Sequence, residues 1–522
     1  MESRLMLVLH SHIPYVKRQG RWPFGEVWLF EAMAETYIPF LKNWIDMKQT
    51  GINTKVTLSL SPVLLEQLSS KYIQKEFIAY LKERESLALD DERYFLGHGD
   101  KDLANIAALY YNFYRDIRRD YLVEFDLDIV GMLKSFQEDG DMEIITTAAT
   151  HAYLPLLDNT SLEYQVKIGK EIYENIFGVE PKGFWLPECG YSKGIEDILD
   201  KYNFSYFYVD SHAIEGGKPI GVFSQDFVDE FVDDEVKLET FATTGLSTYR
   251  PYLIKDKEIA VFGRNSMISH QVWSAEYGYP GDDDYREFHK HFERSGFKYW
   301  KITDRNKPMH KKVVYDNDLA DIKVKLHAKH FVDSLENTSH EAVKLGFSRP
   351  LIVGCYDTEL FGHWWWEGIK WLNLVMRGVA ESRILDFVLP SQITSVKHEA
   401  EVFESSWGLG GKHFVWENRE TAWMWDIIKK SGGEYEKLNL LNMSSEIEQR
   451  AKNMALKELM LVQSSDWLFM VTNNLTKDYA MKRFFEHYTK FLRLLSALQN
   501  GQIDDDFVEW LKNTEHEDDI FV

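Results

Sequence analysis

The sequence predicts a parallel α/β sheet or barrel with an appended helical domain. Two observations carry this. Short apolar runs rich in β-branched residues recur through the first three quarters of the chain, without the period-two alternation of half-exposed strands, and helical patterns separate them. Beyond about Pro390 the strand-like runs give way to amphipathic helices.

The strand candidates, in order, are Leu5–Leu9, Val56–Leu60, Glu143–Thr147, Gly183–Leu186, Tyr206–Val209, Ile259–Phe262 and Leu351–Cys355. Helical patterns lie between them, as in Phe30–Trp44 and Leu162–Phe177. The polar helical stretch Leu64–Lys134 is too long for one crossover, so it reads as a helical insertion. Residues 446–462 and 480–498 space their apolar side chains at threes and fours, which predicts two helices of a C-terminal domain. The expected division is a catalytic unit over 1–395, with the insertion at 64–134 and an acidic loop at 216–248, followed by a helical domain over 396–522. The acidic groups Asp504–Asp506 and Glu515–Asp519 read as a solvated tail.

Composition excludes several function classes. The 522 residues carry 60 basic and 83 acidic side chains, a net charge of −23, which argues against an electrostatic grip on nucleic acid. Two cysteines cannot build a disulfide scaffold. No stretch reaches the ~20 apolar residues of a membrane span, and no secretory pattern is visible, so a cytoplasmic protein is expected. The 16 tryptophans exceed what a core alone needs, and suggest an amphipathic binding surface.

In α/β barrels the chemistry gathers at the C-terminal strand ends. Here those ends offer His10, Ser11 and His12; His151; Glu188; Asp210 and His212; Arg264; and Asp357 with Glu359. Glu188 is crowded by Phe184, Trp185, Pro187 and Tyr191, and Asp357 is followed by three consecutive tryptophans. Apolar crowding raises a carboxyl pKa and suits a general acid, whereas a better solvated partner stays ionised and suits a nucleophile. Paired carboxyls among aromatics point to glycoside chemistry. Trp and Tyr stack on the flat C–H faces of pyranose rings. Candidate platforms are Trp22, Trp28, Trp185, Trp273, Trp364–Trp366, Trp407 and Trp416. Trp407 stands out because its Gly-rich surroundings cannot form a core.

His10 and His12 suit either a metal, together with Asp210, His212 and Asp357, or neutral rings donating to sugar hydroxyls. The absence of CxxC or HExxH spacing favours the second. Cys189 and Cys355 read as buried fillers, and residues 97–100 as a loop.

Longer motifs now converge. LHSHIPYV (9–16), WLFEAMAETYIP (28–39), EIITTAATHAYLPLL (143–157), GFWLPECGY (183–191), QVWSAEYGYPGD (271–282), YDTELFGHWWWEG (356–368) and SSWGLGG (405–411) occur in this order. The chain resembles glycoside hydrolase family 57, in its branching-enzyme and amylase-like group. The resemblance implies an incomplete seven-stranded (β/α) barrel with a helical insertion and a C-terminal helical domain. It implies a retaining mechanism without metal or other cofactor, with Glu188 as nucleophile and Asp357 as acid/base. It implies substrate contacts from His10, His12, Trp28, His151, Arg264, Trp273, Gly281, Trp407, Trp416 and Asp466. The expected partner is an α-1,4-glucan, handled by a monomer or small homo-oligomer with no nucleic acid or membrane. Formation of α-1,6 branches is the activity expected first. An α-amylase or 4-α-glucanotransferase with the same pair, or a metal-dependent deacetylase-like hydrolase, are the alternatives. One segment departs from the family pattern. Branching enzymes of the family carry a tyrosine on the loop corresponding to 216–248, and here none occurs between Tyr208 and Tyr249.

Overall fold

The computed structural model describes residues 3–21, 23–219, 240–274, 278–393 and 395–521. Ten strands are present among them: β1 Ser3–Ser11, β2 Val56–Leu60, β3 Met142–Thr147, β4 Gly183–Trp185, β5 Tyr206–Val209, β6 Tyr252–Ile254, β7 Ala260–Gly263, β8 Leu351–Asp357, β9 Leu385–Phe387 and β10 Glu399–Ala400. They form one sheet in the order β10-β6-β7-β5-β4-β3-β2-β1-β8, with β9 paired to β1. Every pair is parallel except β6 with β7. The seven expected strands make the run β7-β5-β4-β3-β2-β1-β8, the incomplete (β/α) barrel. Its gap lies between β7 and β8, where Asn265 N donates to Val353 O at 2.7 Å just beyond β7. Strands β6, β9 and β10 were not expected, because two or three residues carry no readable periodicity.

Strand parity explains how the barrel aims its chemistry. Met6 and Val8, Tyr206 and Tyr208, Ala260 and Phe262, and Leu351, Val353 and Cys355 share one interior cluster with Trp185 and Cys189. Leu5, Leu7 and Leu9 face the other way, into the cluster shared with the outer helices. Side chains alternate along a strand, so the inward series continue to His10, Asp210, Arg264 and Asp357 at the rim. Both cysteines are unpaired and buried, and burial pushes their thiols up, as expected of fillers.

The insertion comprises helices Pro62–Ser69, Lys71–His98, Lys101–Arg119 and Ile129–Glu138. Residues 97–100 are not a free loop. Gly97 and His98 end a helix that Gly99 caps at φ 83°, a left-handed position that favours glycine. From Ala422 onward the chain is helical, and the helices Glu446–Val462 and Lys477–Asn500 cover the two stretches expected. The acidic tail departs from expectation. Helix Asp505–Glu517 packs on the domain, and Asp518 is fully buried against Lys490. Asp519 pairs with Lys17 and Arg18 after β1, and Tyr15 Oη donates to Glu517 O at 3.1 Å. Asp518 and Asp519 are taken up by these partners, while Asp504, Asp505 and Asp506 are exposed as expected. No helix among the described residues is long and apolar enough to cross a membrane.

Candidate active site

Glu188 follows β4 in a 3₁₀ turn, Pro187–Cys189, at φ 62° and ψ 21°, and Cys189 has φ 51°. Two successive non-glycine residues in the left-handed region cost energy and persist only where surroundings fix them. Here Trp407 N donates to Glu188 O at 3.0 Å, and Cys189 N to Leu186 O at 2.9 Å. The turn tips the Glu188 carboxyl to the cleft, where Trp407 Nε1 donates to its Oε2 at 2.6 Å. Trp407 is thus a hydrogen-bond donor to Glu188, held edge-on to Trp185 with the Arg264 guanidinium 5.2 Å from its ring.

Asp357 ends β8, in register with His10 of β1, and caps the 3₁₀ turn Thr358–Leu360. Burial first, and then the neighbouring Glu359, push its carboxyl up to about 8. Burial and the adjacent Asp357 raise Glu188 as well, but the Trp407 N–H opposes that rise. Two carboxyls that repel each other in a poorly solvated cleft share one proton at neutral pH. Glu188, like Asp357, is pushed up to about 8, and the Trp407 donor is the one contact that favours the charge on Glu188.

A stack of histidines forms the adjoining wall. His12 and His151 lie face to face at 4.0 Å, with His10 beneath His151 at 4.9 Å and Trp185 beneath His10 at 4.9 Å. His10 binds Ser59 Oγ through Nδ1 (3.0 Å) and His151 Nε2 through Nε2 (2.8 Å), and is 2 % exposed. Contrary to expectation, both its ring nitrogens are spent on protein. It props up His151, whose Nδ1 lies 4.0 Å from Glu188 Oε1. Burial, followed by repulsion from neighbouring histidines, holds His10 and His151 well below the usual range, so both rings are neutral. The serines beneath them follow from register: His10 pairs with Ser59 between β1 and β2, and just beyond the two strands His12 Nδ1 meets Ser61 Oγ at 2.8 Å. That matched spacing was visible in the sequence and went unread.

The helical domain closes this wall. His12 Nε2 lies 2.9 Å from Asp466 Oδ2, and Ser464 Oγ donates to the same oxygen at 2.5 Å. Burial works against the Asp466 charge, but His12 outweighs it and holds the carboxyl low. His12, His151 and Asp466 have ligand-type atoms within 4.8 Å of one another, as do the buried Glu458, His487 and Asp518 of the helical domain. The hydrogen bonds named above account for the first group. The metal set considered from sequence is not assembled as such. Arg264 grips Asp210 at 2.6 Å, and His212 bridges Asp210 (3.1 Å) to Gly411 O (2.8 Å). Arg264 and His212 hold Asp210 well below the carboxylate range despite its burial.

Glu359 is a further member that strand ends alone did not rank. It accepts from His12 N at 3.1 Å and from the Tyr37 hydroxyl, and burial pushes it up to about 7.

Other expected contacts fall elsewhere. Trp416 is 1 % exposed and stacks on Tyr153 at 4.2 Å inside the helical domain, so it is core. It also explains part of the Gly-rich loop, since a Cβ on Gly408 would meet the Trp416 ring at 2.8 Å. Trp185 is likewise core. Trp28 is half-buried, edge-on to Tyr479 at 5.2 Å, and Trp273 is half-buried against the barrel core. Gly281 closes a turn beside the guanidinium of the exposed Arg305. Trp22 and the acidic run Asp229–Glu235 lie outside the described residues.

The profile of glycosyl hydrolase family 57 matches residues 6–405. The chain belongs to this family. The profile "1,4-alpha-glucan branching enzyme, C-terminal" matches residues 435–522. A 1,4-alpha-glucan branching enzyme of Thermococcus kodakarensis is 37 % identical over all of this chain and 78 % of its own length. Its crystal structure, solved in complex with glucose and additives, superposes with a TM-score of 0.88 and covers 100 % of this chain and 95 % of that one. The branching enzyme of Pyrococcus horikoshii gives 0.89 at 36 % identity, covering 100 % and 95 %. An α-amylase of Thermotoga maritima gives 0.82 at 31 % identity, covering 100 % and 98 %.

The Trp407 contact has a measurable consequence. Trp407→Phe keeps the ring and deletes the donor to Glu188. A hydrogen bond to a charged group is worth about 1.5–3 kcal/mol, so kcat/KM should fall about 10- to 100-fold. The acid limb of the pH profile should move upward, because Glu188 then holds its proton more tightly. A normal kcat/KM with an unmoved limb would remove Trp407 from the site.

Proposed function

We propose that this chain is a 1,4-α-glucan branching enzyme. The observation that carries the reading is the origin of the cleft. Its barrel half belongs to glycosyl hydrolase family 57, and Asp466, on its other side, comes from the segment that matches the branching-enzyme C-terminal profile.

In the first step the Glu188 carboxylate attacks the anomeric carbon of an α-1,4-linked glucosyl residue. Asp357 gives its proton to the glycosidic oxygen as that bond breaks, and the reducing-end fragment leaves. In the second step the Asp357 carboxylate takes the proton from the 6-hydroxyl of an acceptor chain. That oxygen attacks the glycosyl-enzyme from the face the leaving group vacated, which restores the α configuration and frees Glu188. His12 and His151, bonded to Ser61, Asp466, His10 and Ser465, and Arg264, bonded to Asp210, form the fixed wall beside Glu188. The two unpaired cysteines suit the reducing cytoplasm.

The similarity to a full-length α-amylase keeps a second reading in view, with water in place of the 6-hydroxyl. Incubation with linear amylose separates the two. Transfer should create isoamylase-sensitive branches while the number of reducing ends stays constant, since each cleaved end is re-attached. Rising reducing ends without branches would establish hydrolysis instead.

A further inference from the structure

The run Trp364–Trp366 splits three ways: Trp364 is half exposed, Trp365 is buried, and Trp366 lines a cleft of about 390 Å³. That volume falls within the ~300–1,000 Å³ usual for small-molecule sites. Phe113 stands beside Trp366 with ring centres 4.7 Å apart. Asn43, Asn373 and Lys370 line the same cleft, as does Glu35. Glu35 is 7 % exposed, and its Oε1 accepts from Tyr114 Oη at 2.9 Å. Its Oε2 is buried without a hydrogen-bond partner, the nearest cation being Arg286 at 3.5 Å. Asn373 spends its oxygen on Arg377 Nε at 2.7 Å, which leaves its amide N–H groups to the cleft.

We propose that this cleft is a second carbohydrate site, which holds a glucosyl unit of an α-glucan chain. The chemistry selects the ligand class. Trp366, backed by the Arg286 guanidinium 4.1 Å from its ring and flanked by Phe113 at 60°, supplies the apolar face that a pyranose C–H face requires. The Asn43 and Asn373 amides supply hydrogen-bonding groups for sugar hydroxyls, above a floor made polar by the enclosed Glu35–Arg286 pair. An anion is repelled by Glu35. A cation is disfavoured because Arg286 already balances that carboxylate. An apolar side chain would strip water from the Asn43 and Asn373 amides without replacing its hydrogen bonds, which is costly.

The site is joined to the catalytic loop. Glu35 lies in a π-helical turn, Met33–Tyr37, that interrupts the helix through Gln49. Such turns shift side chains off the helical register and recur at functional sites. This one places Glu35 on the cleft while Tyr37 donates to Glu359 behind Asp357. Thr36 Oγ1, between them, accepts from His363 N at 3.2 Å. A glucan chain held here lies one short turn from the segment that carries Asp357.

The inference rests on the proposed glucan activity, and its test keeps the two apart. Native gels containing amylose would measure retention in a Glu188→Gln background, so that the polysaccharide is not consumed. Kinetics in the otherwise wild-type chain would compare long amylose with maltoheptaose. Trp366→Ala should reduce retention about three- to tenfold, the loss of one aromatic contact, and raise KM for amylose similarly. Activity on maltoheptaose should be unchanged. Asn43→Leu narrows the cleft without touching the Trp366 packing, and should act in the same direction. Retention and KM unchanged in both variants, or equal losses on both substrates, would overturn the second site. Absence of wild-type turnover on any α-glucan would overturn the functional reading instead.

Discussion

Glu188→Ala is expected to lower turnover of every α-glucan by about 10⁴- to 10⁶-fold, the scale seen when a covalent nucleophile is deleted. The argument starts from the backbone. Glu188 occupies a left-handed conformation that Leu186, Cys189 and Trp407 hold through main-chain hydrogen bonds. Alanine leaves those bonds in place, so the loss measures the carboxylate rather than the fold. The same residue predicts the stereochemical course. A nucleophile that forms a glycosyl-enzyme inverts the anomeric carbon twice, so the first-formed product is α. Proton NMR of the initial product checks this. Mass spectrometry after rapid acid quench should find the glycosyl group on the peptide containing Glu188. First-formed β product would exclude the double displacement. Glycosylation of a different carboxylate would reassign the nucleophile.

The strand ends that hold this chemistry were legible because each inward series continues its own alternation. Met6 and Val8 lead to His10, Ala260 and Phe262 to Arg264, and Val353 and Cys355 to Asp357. Strand type and face are local properties, so sequence carries them. The roles of individual aromatics were less legible, since a tryptophan looks the same in a core as on a sugar platform. Trp407 and Trp416 lie nine residues apart around the same glycines, yet one bonds the Glu188 carboxyl and the other stacks on Tyr153. The difference is set by Tyr153, from a loop far away in sequence. The same holds for the acidic tail. Asp504–Asp506 do face solvent, but Asp518 and Asp519 signal solvent only until Lys17, Arg18 and Lys490, scattered across the chain, are brought to them. His10 illustrates a third case: its residue type was read as a sugar donor, while its partners Ser59 and His151 were fixed by register and loop closure.

Removing the acid/base should have a different signature from removing the nucleophile. Asp357→Ala is expected to slow reaction on amylose by about 10²- to 10⁴-fold, because a sugar alkoxide leaves poorly without a proton. An α-glucosyl or α-maltosyl fluoride needs no such proton, so its first step should survive and the glycosyl-enzyme should accumulate. Azide, which needs no general base, should then release it as an α-glycosyl azide and restore turnover. The pH profile supplies the sign. Burial pushes both carboxyls up to about 8, with Glu359 adding to the rise of Asp357, and the form that can react carries its one proton on Asp357. Activity therefore falls as pH rises through that region and Asp357 ionises, while the acid limb reports protonation of Glu188. In Asp357→Ala the alkaline limb should disappear for the fluoride substrate and the acid limb should remain. If the alkaline limb persists, the proton comes from another group in the cleft, and Glu359, raised by burial to about 7 and tied to His12 and Tyr37, would be the residue to examine.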